Sequence, residues 1–201
     1  MNPHFAYFMK SFGPSVDRRD VPPEAFKRFK GKLPEHLLQH WAEHGWSGYA
    51  DGLFWMVNPE DYEPVLDAWL GHTPLVEEDA LHIIARGAFG HLLIWGERSG
   101  FALRLFAPGA FVVRMNTTAQ AKNLELAAQM FFSVQKRDVY EFDGRFTPAK
   151  HQLGRPGPND MYGFVPALTL GGSADTSQIQ KVKAIEHLVM LAQFSELQVM
   201  A

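Results

Sequence analysis

The chain has 201 residues, 46% of them hydrophobic and 20% charged, with 19 basic against 22 acidic side chains and a formal charge of −3. This is an ordinary globular balance for one domain or two small ones, and a near-neutral total argues against non-specific binding of nucleic acid through a basic face. The absence of cysteine excludes disulfides, thiolate nucleophiles and cysteine-based zinc sites, and marks a chain that does not rely on an oxidising compartment.

The N-terminal MNPHFAYFMKSFGP has no basic n-region and its apolar run stops at Lys10, too short for a signal core or a membrane span, so a soluble cytosolic protein is expected. Residues 5 to 12 suit one apolar turn or short helix. GPSVDRRDVPP reads as a linker, and EAFKRFKGK as a short basic helix with Phe26 and Phe29 inward.

Residues 33 to 70 hold four of the five tryptophans and read as helix, glycine-rich turn, strand, helix. Pro34 suits the start of the first helix, Leu37, Leu38 and Trp41 share one face, and Gly45 is a stop that lets Trp46 pack back on Trp41. Trp46 and Tyr49 then lie in the turn. The bulky run Leu53 to Val57 predicts a short buried strand ended by Asn58 and Pro59. Tyr62, Val65, Leu66, Trp69 and Leu70 fall at helical spacing before Gly71, and Pro64 is tolerated if Asp61 is the cap, which places it in the first turn.

Four strands are expected next, at Leu81 to Arg86, His91 to Trp95, Phe101 to Phe106 and Phe111 to Met115, joined by Gly- and Pro-containing turns as in an antiparallel meander. Phe101, Leu103 and Leu105 alternate with Ala102 and Arg104, predicting one covered and one wet face. Thr117 and Gln120 form a capping-box pattern for a helix over roughly 119 to 135, with Leu124, Ala127, Ala128 and Phe131 toward the sheet. Residues 143 to 163 show no convincing regular element. MYGFVPALTLGGS reads as an extended edge segment, and a last helix over about 177 to 195 aligns Ile179, Val182, Ile185, Val189 and Ala192. The fold class is α+β, a meander packed by several helices.

Charge is unevenly spread. From Leu33 to Ala85 there is no lysine or arginine but ten acids, Glu35, Glu43, Asp51, Glu60, Asp61, Glu63, Asp67, Glu77, Glu78 and Asp79, whereas residues 1 to 32 carry +4 and residues 86 to 201 carry +3. Such a run is either a solvated face or a surface for a cationic partner.

Catalytic apparatus is sparse. His40-Trp41-Ala42-Glu43-His44 matches the H-x-x-E-H pattern of inverted zinc proteases, with His36 one turn back, but the helix stops at Gly45 and the only third ligand would be an arbitrary Glu125. A solvated helix flank is the default reading. Leu170-Gly171-Gly172-Ser173 before a helix resembles a phosphate-holding turn yet lacks the Walker lysine. There is no G-x-S-x-G elbow, and no carboxylate pair is set up to split its pKa values. No catalysis, cofactor or metal is expected.

LPEHLLQHWAEHGWSGYADGLFWMVNPEDYEPVLDAWL resembles the signature of the GAD-like immunity proteins of bacterial type VI secretion, and YGFVPALTLGG with its following helix resembles their Tdi-type C-terminal region. The resemblance implies a GAD-like domain over 1 to 116 and a Tdi-type region over 117 to 201, packed as one unit, in a cytosolic protein that neutralises a DNase effector and itself binds neither nucleic acid nor membrane. The surface expected to meet that toxin comprises Asp51, Glu60, Asp61, Glu63, Asp67, Glu77, Glu78 and Asp79, with Trp46 or Tyr49 as apolar anchor. A zinc-dependent hydrolase using His40, Glu43 and His44, or a regulatory protein-binding module, are the alternatives.

Overall fold

The computed structural model describes residues 2–115 and 122–200. Helices α1 (Pro3–Phe12), α2 (Pro23–Phe29) and α3 (Glu35–His44) interleave with strands β1 (Val16–Arg19), β2 (Trp46–Tyr49) and β3 (Phe54–Met56), followed by α4 (Glu63–Leu70) and α5 (Leu75–Glu78). The expected meander is β4 (Leu81–Gly87), β5 (His91–Gly96), β6 (Gly100–Phe106) and β7 (Phe111–Arg114). Then come α6 (Leu124–Met130), α7 (Arg137–Tyr140), α8 (Phe146–Leu153), β8 (Asp160–Phe164), β9 (Ile179–Lys183), α9 (Ala184–Gln193) and β10 (Gln198–Met200).

Strands one to seven pair in chain order, each antiparallel to the next, and β10 adds in parallel to β7; β8 and β9 form a separate antiparallel pair. The fold is α+β. Both faces of the large sheet are covered from β2 to β6, while the edge strands β1 and β10 are exposed, which corrects the expectation of a wet face on β6. On β5, Leu93 and Trp95 enter an aromatic core with Phe5, Phe8, Phe54 and Phe131, while Leu92 and Ile94 enter a second core with Val65, Trp69 and Leu188. A bulge between Ile94 and Trp95 shifts the register, so Phe101 joins the first core and Leu103 and Leu105 the second. One extra residue reverses the parity on which the alternation rested.

The central motif folds largely as its sequence indicates. Gly45 ends α3 at φ 66°, and Trp46 meets Trp41 edge to face at 5.5 Å. Pro64 lies in the first turn of α4, capped one residue later than expected, at Tyr62. The stretch between α3 and β3 differs: Trp46–Tyr49 is a strand, and Val16–Arg19 in the supposed linker is its neighbour. Gly48 faces Trp55, whose ring lies 2.8 Å from where a Cβ would be, so a larger residue there would displace the indole.

Two further expectations are revised, and a third falls outside the described residues. Residues 143 to 163 contain α8 and most of β8. Ile179 and Val182 belong to β9 rather than the last helix, because Asp160–Phe164 supplies their backbone partners. The Thr117/Gln120 capping box lies outside the described residues; α6 is capped by Asn123, whose side chain accepts from Leu126 N at 2.9 Å.

α3 begins after Pro34 with no side-chain cap of its own. The carboxylate of Glu125, on α6, instead accepts from the backbone N–H of Glu35 at 2.8 Å and of His36 at 3.0 Å. Orphan donors at a helix start need an acceptor, and here it arrives from 90 residues away. Glu125→Ala is expected to lower unfolding free energy by about 1 kcal/mol, the usual worth of a cap, as a shift of the denaturant midpoint. An unchanged midpoint would mean that solvent replaces the carboxylate.

Candidate partner-binding surface

Two residues expected as accessible anchors are core residues. Trp46 is 5% and Tyr49 0% exposed, since β1 on one side and β3 on the other make β2 an interior strand. Burial pushes the Tyr49 hydroxyl above its ordinary pKa, and its oxygen has no partner among the described residues. Asp79, 7% exposed, is also internal: it accepts from the backbone N–H of Arg98 and Ser99 and, at 2.6 Å, from Ser99 Oγ, holding the β5–β6 turn. Burial raises its pKa, but the Ser99 hydroxyl and these backbone donors outweigh that and keep the carboxyl below its ordinary value.

The other seven acids are exposed, and ion pairs divide them. Arg28 of α2 bridges Glu63 at 2.6 Å and Glu60 at 3.3 Å. Both Glu78 oxygens accept from Arg114 at 2.7 Å, which lowers the carboxyl pKa. Lys150 of α8 meets Asp51 at 2.7 Å. Asp61, Asp67 and Glu77 have no ion pair among the described residues, and Asp61 accepts only from Asn58 Nδ2 at 3.0 Å. A run that is uniformly acidic in sequence is therefore partly neutralised in space. Arg28, Lys150 and Arg114 are the residues sequence reasoning missed; their only signal was the positive excess in the flanking segments.

The unpaired acids stand on a rigid support. Val65 and Leu70 are fully buried beneath α4, and Trp69 donates its indole N–H to Leu188 O of α9 at 2.9 Å. Asp61 lies just before the Tyr62 cap of α4, Asp67 is exposed on that helix and Glu77 is exposed on α5.

The histidine motif folds inward. His40 is 8% exposed, packed by Phe132 at 4.2 Å and Phe5 at 4.7 Å, with His44 at 4.8 Å; burial, reinforced by His44, pushes its pKa down to about 3. Glu43 lies 3.5 Å from His44, and Glu125 is occupied as the α3 cap. Among the described residues no group of three His, Asp or Glu is placed to hold a metal. The glycine turn is corrected too: Gly171 takes a left-handed conformation after a 3-10 turn, Ser173 Oγ donates to Asp175 at 2.6 Å, and a single 3-10 turn (Thr176–Gln178) leads into strand β9, so the loop does not open the last α-helix. Among the described residues no helix is long and apolar enough to cross a membrane.

Comparison with known proteins matches residues 3–108 to the GAD-like domain and residues 125–195 to the C-terminal domain of T6SS immunity protein Tdi1. The fold is similar to the crystal structure of Atu4351 from Agrobacterium tumefaciens, with a TM-score of 0.79 at 19% identity over 99% of this chain and 91% of that one. No curated protein matches the chain.

Proposed function

The chain belongs to the GAD-like domain family and carries a type VI immunity-protein C-terminal region, and from that premise we propose that it binds and neutralises a DNase toxin in the cytosol, without catalysis of its own. A nuclease cleft is built cationic to hold phosphates, so an inhibitor gains attraction, orientation and encounter rate from acids aimed at it. The observation that carries this reading is the set of exposed, unpaired carboxylates at Asp61, Asp67 and Glu77 on the α4–α5 scaffold. Glu60, Glu63, Glu78 and Asp51 flank them with charge already shared with Arg28, Arg114 and Lys150. The GAD-like and Tdi-type regions act in this reading as one binding unit, because Glu125 caps α3 and Arg86 of β4 bonds to the 157 to 160 loop.

The partner is to be sought in the neighbouring open reading frame, as a secreted protein ending in a nuclease domain. Mixed in equimolar amounts with that domain, the purified protein is expected to form a complex and stop DNA cleavage. Full cleavage in the presence of excess protein, or a partner that cuts no DNA, would overturn the reading.

A further inference from the structure

α1 closes over a cluster of imidazoles that the proposed toxin surface does not use. Its Phe5 sits 4.7 Å from His40 and 4.5 Å from His44, and its His4 Nδ1 bonds Ser133 Oγ at 3.0 Å. Beside them a cavity of about 300 Å³, lined by His4, His36, Glu43 and His44 among others, brings solvent close to the His40 ring. His40 Nε2 is buried with no hydrogen-bond partner among the described residues. An imidazolium at this position would have aromatic walls, a second histidine and no carboxylate bound to it.

We propose that α1 is an acid-released latch, held closed while His40 is uncharged between Phe5 and Phe132, and released when that ring takes up a proton. The groups around it favour this direction. His4 faces it from α1, and His36, Glu43 and His44 come from α3. Glu125 of α6 does not line the cavity: it is bound to the α3 backbone and lies 3.6 Å from His36 Nδ1; Arg18 of β1 adds positive charge near His44, and Tyr49 of β2 lies beyond Phe5. Glu43, the one acid lining the cavity, pairs with His44 instead. The closed state holds His40 near 3 against an ordinary 6.5, so the open state binds the proton more tightly. Opening is therefore favoured as pH falls below the open value and levels off near the closed one. Between about pH 7 and pH 4.5 this linkage multiplies the opening constant by roughly 50- to 100-fold.

Amide hydrogen exchange of the full chain tests this, with β6 as reference for global unfolding. Protection of the α1 amides is expected to fall by about that factor while β6 stays protected, and His40→Phe, which keeps an aromatic ring but cannot titrate, is expected to abolish the fall. Simultaneous loss in α1 and β6, or an equal fall in the variant, would overturn the proposal. Should His40→Phe fail to fold, NMR titration of wild-type His40 decides: protonation must coincide with α1 release, and a fall in protection without it assigns the effect to His4 or His44.

Discussion

Replacing Arg86 by alanine is expected to lower unfolding free energy by about 3 to 5 kcal/mol, the scale reached when a large buried side chain is truncated and buried carbonyls lose their donor. Arg86 is 0% exposed on the central strand β4. Its Nη2 donates to the carbonyls of Gly157, Pro158 and Asp160 at 3.2, 2.9 and 2.8 Å, and its guanidinium lies 5.6 Å from the centre of the Trp55 ring. Among the described residues no carboxylate neutralises it; three carbonyl dipoles and an aromatic face stand in. Truncation removes the arginine's donor from those carbonyls, of which Gly157 O keeps the Asp160 N–H at 3.1 Å; it also opens a cavity and unhooks the 157 to 160 loop, and for a chain of this size the melting temperature should drop by about 10 °C. Arg86→Met should cost less, since it fills the space and removes the burden of an unpaired cation. A melt of Arg86→Ala within a degree or two of wild type would show that the loop holds without the arginine.

The second large effect is on partner binding. Reversing Asp61, Asp67 and Glu77 together to lysine is expected to leave the fold nearly intact, because exposed charges contribute on the order of 1 kcal/mol or less each. Association with the toxin should slow more than tenfold at low salt, and protection of toxin-expressing cells should be lost. Glu60 and Glu63 are left out because lysines there would confront Arg28 and mix a folding effect with a binding one. A control that reverses the exposed acids Glu24, Asp138 and Glu196 changes net charge equally and should retain most of the rate. If both triples slow association alike, net charge matters and this surface does not.

The sequence was most informative where local signals agreed. Gly45 after an apolar helical face, the bulky run at Leu53 to Val57 and the turn-separated strands from Leu81 onward are each decided by neighbours within a few residues, and each formed near its expected place. The misreadings have long-range causes. Val16–Arg19 contains two arginines and an aspartate and becomes a strand only because Trp46–Tyr49 offers an edge. Ile179 and Val182 fit a helix by spacing until Asp160–Phe164 pairs with them. The acidic run was visible as a sum of charges, but its division into paired and unpaired carboxylates was not, because Arg28, Arg114 and Lys150 reach it across 32 to 99 residues of chain. The same holds for Trp46 and Tyr49, which a turn would expose and an interior strand buries.

The most direct test of an acidic surface set against a cationic nuclease cleft is the association rate of the wild-type protein with its toxin across a salt series. Steering between exposed opposite charges is screened over roughly 8 to 10 Å at physiological ionic strength. The rate is therefore expected to fall steeply, by about tenfold or more between low and moderate salt, with the dissociation rate changing much less. An association rate independent of salt would contradict the proposal and move the interface off the α4–α5 carboxylates.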